Sequence, residues 1–208
     1  CDFHDARMAH PDPDADWDRR NGRIFRIAPK GHSSDAPFDL RTLDSKALVE
    51  LLDHKNAWFA RRARVLLASR QDTSVSKTLK DNEARNANRT LALESLWTRF
   101  ATGDTPEKDL KGLLSHDDFA FRLWGVRLLG DQGAVSNSAT KALTKLARRE
   151  KDVRVLSQLA ATAQRLESDQ SIKVVNALLE NATEDNDLYL PLLLWWAIEP
   201  NSAEAARS

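Results

Sequence analysis

Histidines and carboxylates near the start of the chain are the first residues whose types could do chemistry. His4 and His10, with Asp2 and Asp5, offer the imidazole and carboxylate groups that bind transition metals. The two histidines are six residues apart and share no helical phase, so their spacing does not direct them to one ion. We interpret them as ordinary loop residues, and a metal-dependent enzyme is the least favoured of the functions considered.

An acidic run follows, in which every second residue is an aspartate: Asp12, Asp14, Asp16 and Asp18. Alternating oxygen ligands of this kind begin the calcium loop of an EF-hand, which also needs a glycine at its sixth position and a carboxylate at its twelfth. Those positions hold Trp17 and Arg23, so the EF-hand match fails. A solvated turn is the favoured interpretation of the run.

Arginines recur through the rest of the chain at spacings close to the length of one helix pair: Arg62, Arg89, Arg122 and Arg154. Such a ladder could bind an anionic partner, and these four residues form the candidate interaction surface. In stacked helix pairs, an arginine at the start of the second helix usually bonds to carbonyls or to an acidic residue of the adjacent pair. That structural role is the favoured interpretation, with ligand binding as its alternative.

Motifs for catalysis or cofactor binding are absent from the sequence. There is no GxGxxG, P-loop, GxSxG or HExxH motif, and no His-Glu dipeptide of the kind that builds di-iron sites on helical repeats. Cys1 is the single cysteine, which excludes CxxC and the CxxCH haem attachment site. We therefore assign no catalytic, cofactor-binding or metal-binding residue to this chain.

The composition is that of a foldable chain with balanced charge. The 208 residues are 41% hydrophobic and 30% charged, enough for one core or one extended array. Lys+Arg and Asp+Glu number 31 each, and a net charge of zero argues against a dominant nucleic-acid or membrane-surface partner. The longest apolar run, residues 188–198, is about half a membrane span, so no transmembrane segment is predicted.

The positioning elements from Asp39 onward are predicted to be helices, because apolar residues there follow helical spacing in a repeated pattern. An apolar pair such as Leu51-Leu52 or Leu113-Leu114 ends one helix, a polar break follows, and then a second helix begins. Small residues recur in the second helices at intervals of 29, 33 and 32 residues: Ala63, Ala92, Gly125 and Ser157. Since one pair cannot bury its apolar face alone, pairs must stack. The sequence predicts an all-α fold, an α-solenoid of about five HEAT-like helix pairs.

These five pairs are expected at residues 45–53 with 57–69, 75–82 with 87–101, 106–114 with 119–129, 138–149 with 152–166, and 170–181 with 188–198. Gly103 and Gly130 are expected to end helices. Of the six tryptophans, four lie within the helical frame and are predicted to fill core layers. Trp195 and Trp196 are neighbours about 100° apart on one helix, so they cannot both face the same core.

The first part of the chain differs from the helical part. It is rich in proline and aspartate, and its one regular pattern is the alternation of residues 23–27, which predicts a β-strand. The organisation we expect is a non-helical segment at 1–30 with this strand, a linker at 31–38, a HEAT-like helical domain at 39–199 and a tail at 200–208.

Three stretches together resemble a known family: WDRRNGRIFRIAP at 17–29, LVELLDHKNAWFARRARVLLASR at 48–70 and DLYLPLLLWWAIEP at 187–200. They are similar to the middle of large exported planctomycete-type proteins described as membrane-bound dehydrogenase-like or haem-binding CxxCH proteins. The resemblance implies a β-propeller similar to glucose/sorbosone dehydrogenases, then HEAT-type repeats, then a c-type cytochrome domain. Residues 1–30 would be the C-terminal remnant of the propeller, and the chain a fragment of the parent protein.

The chain departs from that family because it lacks CxxCH and has only the edge of the propeller. Haem c and a quinone are therefore expected in other parts of the parent protein, and any quinone-dependent dehydrogenase activity belongs there too. The expected function is a non-catalytic HEAT-repeat scaffold that holds propeller and cytochrome domains or docks another protein. The resemblance also implies an exported, periplasmic or cell-envelope location.

The alternative is a free-standing HEAT-like module that binds a protein or a nucleic acid on its concave face. If nucleic acid binds, Arg61, Arg62 and Arg64 beside Arg122 and Arg127 should form a continuous basic face. The neutral net charge argues against nucleic acid and favours a protein partner.

Overall fold

The chain forms two compact units, Cys1–Asp39 and Leu40–Ser208. The computed structural model describes residues 2–5, 17–23, 25, 27–31, 38–84, 88–133, 135–181 and 188–205. The boundary between the units falls where the apolar residues of the sequence take up helical spacing.

The first unit contains a two-stranded antiparallel sheet. Strand β1 (Asp2–Asp5) pairs with β2 (Trp17–Arg23), and His4 lies opposite Asp18. The register is interrupted between Asp2 and His4 by an irregularity of the ladder.

The structure differs from the prediction of a strand at residues 23–27. Arg23 is the last residue of β2, Phe25 and Ile27 belong to no strand, and Ile24 and Arg26 lie outside the described residues. A strand needs a neighbour to pair its backbone groups, and Asp2 at the start of β1 is already opposite Arg23. The predicted strand at 23–27 is therefore not confirmed, since only its first residue, Arg23, lies in a strand.

The second unit is helical, which confirms the predicted all-α class. Its helices are α1 (Ser45–Glu50), α2 (Ala57–Arg70), α3 (Ser76–Ala84), α4 (Arg89–Ala101), α5 (Glu107–Leu113), α6 (Phe119–Asp131), α7 (Asn137–Arg149), α8 (Val153–Ala163), α9 (Ser168–Asn181) and α10 (Leu190–Ala205). Each odd-numbered helix packs on the even-numbered helix that follows it, and α2 on α4, α6 on α8, α7 on α9 and α8 on α10 also pack together. The even-numbered helices are called second helices below, and the odd-numbered ones first helices.

The predicted tail at 200–208 is wrong in part, because α10 continues to Ala205. The prediction ended the helix at Ile198, two residues before Pro200. A proline inside a helix removes one backbone hydrogen bond and can be accommodated by a local bend, so it does not always end the helix.

Four of the second helices begin with a side-chain cap. Asn56, Asn88, Asp118 and Asp152 each accept a hydrogen bond from a backbone N–H in the first turn, at distances of 3.0, 3.1, 2.9 and 3.0 Å. Caps of this kind stabilise a helix by about 1 kcal/mol each. They lie 32, 30 and 34 residues apart and so mark the start of four successive second helices.

The small residues predicted at close helix contacts are mostly found there. Ala63 and Ala92 are buried, and a Cβ on Gly125 would lie 2.9 Å from the Cβ of Leu113 on the neighbouring helix α5. Ser157 is only half-buried, whereas Ala160 and Ala163 of α8 are fully buried. The fixed spacing failed at α8 because these positions do not all lie equally far from their caps.

The two glycines expected to end helices have different roles. Gly103 has φ of +80° and follows α4, where its N–H bonds to the carbonyl of Phe100, so it ends the helix as predicted. Gly130 lies inside α6, and a Cβ there would be 2.6 Å from Cγ2 of Thr162 on α8. Gly130 therefore permits close packing of α6 on α8 rather than ending a helix.

The core consists of leucine, valine and alanine rather than tryptophan. Leu67, Leu96, Leu129 and Leu159 are fully buried, one in each of the second helices α2, α4, α6 and α8. None of the five tryptophans in the described helices is fully buried, so the prediction that four of them fill core layers is wrong. Trp58, Trp195 and Trp196 are 47%, 57% and 46% exposed, whereas Trp97 is half-buried and Trp124 is half-buried against the core. Layers between closely stacked helices leave room for leucine but not for an indole.

Candidate functional site

A groove of about 490 Å³ lies across three successive second helices, α2, α4 and α6. Its lining residues are Arg64, Val65, Ala68, Trp97, Phe100, Ala101, Trp124, Leu128 and Asp131. Most of them are three or four residues apart within a helix, and such residues share one face of a helix. The groove thus takes its lining from three helices, and no single helix contains it.

Two tryptophans meet across the groove. The rings of Trp97 and Trp124 are 4.7 Å apart between centroids and inclined at 60°, an edge-to-face contact. The guanidinium of Arg64 lies 5.1 Å from the centre of the Trp97 ring, and that of Arg127 lies 5.7 Å from the Trp124 ring. These contacts hold the two indoles in place, so the groove presents a preformed aromatic surface.

Trp97 also carries a polar atom with no partner. Its Nε1 is buried and donates to no acceptor in the part of the chain that the structure describes. A buried donor without an acceptor costs about 1–3 kcal/mol. A smaller apolar side chain would avoid that cost.

The charges beside the groove neutralise one another. Arg64 donates to Glu94 at 2.8 Å, and burial raises the pKa of Glu94 while Arg64 and Arg61 oppose that rise. At the other end, Arg127 lies 3.7 Å from Asp131, which also accepts from Arg165 in the turn after α8. The groove is therefore apolar and aromatic at its centre, and its flanking ion pairs are internally compensated.

Two residues of the predicted arginine surface share one aromatic ring. Arg89 and Arg154 lie 4.8 and 3.4 Å from the centre of the Phe119 ring. Arg89 also donates to Asp118 at 2.6 Å, and Arg154 bonds to Asp152 at 2.6 and 2.9 Å. These arginines join the starts of α4, α6 and α8 to one another.

Arg122 also links neighbouring helix pairs, and its side chain is more buried than those of Arg89 and Arg154. It donates two bonds to the carboxylate of Glu150, at 2.6 and 2.9 Å, and two more to the carbonyls of His116 and Asp117. Burial would raise the pKa of Glu150, but the bonds from Arg122 and from the backbone N–H groups of residues 151 and 152 outweigh burial and lower it. Arg122 thus links the loop before α6 to Glu150 at the end of α7.

Arg62 stands apart from the other three. It is exposed on α2, and among the described residues it has no hydrogen-bond or salt-bridge partner. Of the arginines expected to form a continuous basic face, Arg64 and Arg122 are paired with glutamates and Arg127 lies beside Asp131. Their charge is largely compensated, which is unfavourable for binding the phosphates of a nucleic acid.

A repeated histidine turn was missed at the sequence level. In His54 the Nδ1 atom accepts the N–H of Asn56 at 3.0 Å, and in His116 it accepts the N–H of Asp118 at the same distance. The two rings lie 4.4 and 4.3 Å from those of Phe59 and Phe121. The pattern LLxHx before a capping residue, found twice, was the available signal, and its role is to shape the turn.

The described residues contain no group of three or more histidine, cysteine, aspartate or glutamate side chains that could hold a metal ion. Of the residues considered as ligands, Asp2, His4 and Asp5 have their backbones in β1, and His10 lies outside the described residues. None of the described helices is both long and apolar enough to cross a membrane.

Comparison with known proteins gives no relative for this chain. No family model, curated protein or solved structure matches it.

Proposed function

We propose that the chain is an α-solenoid of HEAT-like helix pairs that acts as a non-catalytic protein-interaction module. Supporting this proposal, the helices pack on their near neighbours in chain order, as expected of a stack in which each repeat contacts only adjacent repeats.

Polar contacts between the pairs support the same architecture. Four salt bridges join residues about one pair apart in sequence: Arg64–Glu94, Arg89–Asp118, Arg122–Glu150 and Arg148–Glu180, with separations of 30, 29, 28 and 32 residues. Contacts at nearly the same sequence separation are expected of an array in which each repeat contacts only its neighbours.

The observation that carries the binding role is the aromatic groove on α2, α4 and α6. Tryptophan and arginine are the residues most enriched where binding energy concentrates, and Trp97 and Trp124 lie together between Arg64 and Arg127. Val65 is 53% exposed on the groove wall and gives it an open apolar edge. Burying one large apolar side chain of a partner here would contribute about 1.5–3 kcal/mol.

A second surface supports a scaffolding role within a larger protein. Leu192, Trp195 and Trp196, at positions i, i+3 and i+4 of α10, are all exposed. We propose that this apolar face packs against another protein domain. With the sequence resemblance, it supports a module that holds a propeller and a c-type cytochrome domain in an exported protein, with haem and quinone bound elsewhere.

The groove is tested by selecting displayed random peptides on the purified chain and measuring their affinity for two variants. Val65→Asp places a charge on the groove wall without filling it. Val153→Asp is the matched control, because Val153 is 42% exposed at the start of α8, away from the groove. We expect selected peptides with a bulky apolar side chain to lose about tenfold or more in affinity for Val65→Asp and to keep their affinity for Val153→Asp.

Two results would overturn the binding role of the groove. One is a library that yields no peptide above background on the folded wild-type chain. The other is a set of selected peptides that bind Val65→Asp as tightly as wild type.

A further inference from the structure

The first helices α7 and α9 form a second groove of about 460 Å³ with a different chemistry. Its lining residues are Thr140, Lys141, Thr144, Lys145, Arg148, Arg149 and Lys173. Five of these seven are cationic and none is acidic. Opposite charges elsewhere in the molecule give the chain its net charge of zero, so this groove is a local concentration of positive charge.

The inner cations of this groove, Lys141, Lys145 and Arg149, form no ion pair with another described residue. Lys141 and Lys145 are exposed and have no hydrogen-bond or salt-bridge partner in the described part of the chain. Among the described residues, Arg149 donates to neutral atoms only, the carbonyl of Leu114 at 3.3 Å and Oγ of Ser115 at 3.4 Å. Their positive charges are therefore left uncompensated within the groove.

The acidic residues near the groove are bound to its outer cations. Glu180 accepts from Arg148 at 2.9 Å, and Asp169 accepts from Lys173 at 3.0 Å. All four side chains in these two pairs are more than half exposed, so the pairs are weak and salt-screened. An anionic ligand could compete for both outer cations without disturbing buried structure.

Lysines on the earlier first helices, in contrast, bond to side chains of the next helix pair. Lys80 of α3 donates to Asp109 of α5 at 3.1 Å. Glu107 of α5 accepts from Ser136 before α7, and Lys111 donates to Ser138 at 2.7 Å. Between α7 and α9, which pack together more extensively than α5 and α7, no such bond reaches Lys141 or Lys145 among the described residues.

The spacing of the three inner cations defines the shape of a ligand. Lys141, Lys145 and Arg149 are four residues apart, so they rise by about 6 Å each along α7. In an extended peptide, every second side chain lies on one face, at a repeat of about 6.6 Å. Carboxylates at alternate positions of an extended segment therefore nearly match the inner cations.

We propose that the groove between α7 and α9 binds an extended acidic protein segment with aspartate or glutamate at every second position. The hydroxyls of Thr140 and Thr144 donate to carbonyls of their own helix, so recognition depends on charge and spacing. A single-stranded nucleic acid is the rival ligand. It usually needs aromatic side chains for base stacking, and the lining of this groove has none.

The proposal is tested by titrating the whole chain with a labelled Asp-Ala repeat peptide at low ionic strength. The double variant Lys141→Glu/Lys145→Glu removes the inner charges. Lys46→Glu/Lys77→Glu is the matched control, because it makes the same change in net charge at exposed lysines on α1 and α3. We expect about a tenfold or greater loss of affinity for the first variant, little change for the control, and weaker binding as salt rises.

Ligand variants test the class and the spacing. A peptide with the same aspartates in one block should bind several-fold more weakly, and mixed-sequence single-stranded DNA should bind more weakly than the repeat peptide. The proposal is overturned if the repeat peptide does not bind, if both variants lose affinity equally, if block and repeat peptides bind alike, or if DNA binds more tightly.

Discussion

The two grooves lie on the same stack of helices but use their charges in opposite ways. Around the groove of α2, α4 and α6, Arg64 is paired with Glu94 and Arg127 lies beside Asp131, so the surface offered to a partner is the aromatic centre. In the groove of α7 and α9, the inner cations Lys141 and Lys145 have no partner among the described residues. The paired charges around the aromatic groove stabilise the fold, and the unpaired cations of the groove between α7 and α9 remain available for a ligand.

The largest loss of stability should come from breaking a buried network of paired charges. The Arg99 side chain is 4% exposed and bonds to Glu83 at 2.7 and 2.9 Å and to Asp109 at 2.9 Å. Arg99→Met leaves Glu83 without this cation and Asp109 with Lys80 alone, and should cost about 3 kcal/mol of unfolding free energy. Urea unfolding measures this change.

The exposed pair Arg148–Glu180 is the control for that prediction. Both side chains are more than half exposed, so Arg148→Met should cost no more than about 0.5 kcal/mol. Equal losses for Arg99→Met and Arg148→Met would contradict the division between structural and available charges.

A smaller and pH-dependent effect is expected at Arg122. Its guanidinium is more exposed than that of Arg99, and Arg122→Met should cost about 2 kcal/mol near neutral pH. Because the pKa of Glu150 lies below its ordinary value of 4.5, this carboxylate stabilises the fold above that pH, and its contribution is lost as pH falls further. Without Arg122, only the backbone N–H groups of residues 151 and 152 oppose the effect of burial on the pKa of Glu150, so the loss of stability in acid should be shallower.

Urea unfolding of wild type and Arg122→Met between about pH 6 and pH 3 measures the difference. Glu180→Gln, at an exposed site, should retain the wild-type dependence on pH. Parallel curves for wild type and Arg122→Met would show that Glu150 is not held ionised by Arg122.

The smallest effect is expected at the second groove. Lys141→Ala/Lys145→Ala removes exposed charges that bond to nothing described, and alanine is a good helix former. The free energy of unfolding should change by no more than about 0.5 kcal/mol. A loss above about 1.5 kcal/mol in urea unfolding would mean that these lysines stabilise the fold.

Local signals in the sequence predicted much of the fold. Each predicted helix is present because leucine pairs, polar breaks and capping residues such as Asn56 and Asp118 act within a few residues of one another. The strand at 23–27 was not confirmed because the position of a strand depends on a pairing partner, and the alternating pattern does not reveal that partner.

The sites were less predictable, because they depend on how the pairs stack. Spacing selected Arg62, whereas Arg64, two positions further along α2, lines the aromatic groove. Two positions on a helix differ by about 200° in direction, so a small error of phase points to the opposite face. The cations of α7 form a groove only because α9 packs beside them and contributes Lys173.

The central claim is that the two grooves are separate sites with different chemistry. It is tested most directly by saturating the chain with a peptide selected on the aromatic groove and then titrating in the Asp-Ala repeat peptide. The account predicts that the acidic peptide binds with unchanged affinity and displaces none of the first peptide. Competitive displacement, in which each peptide weakens the other, would contradict it.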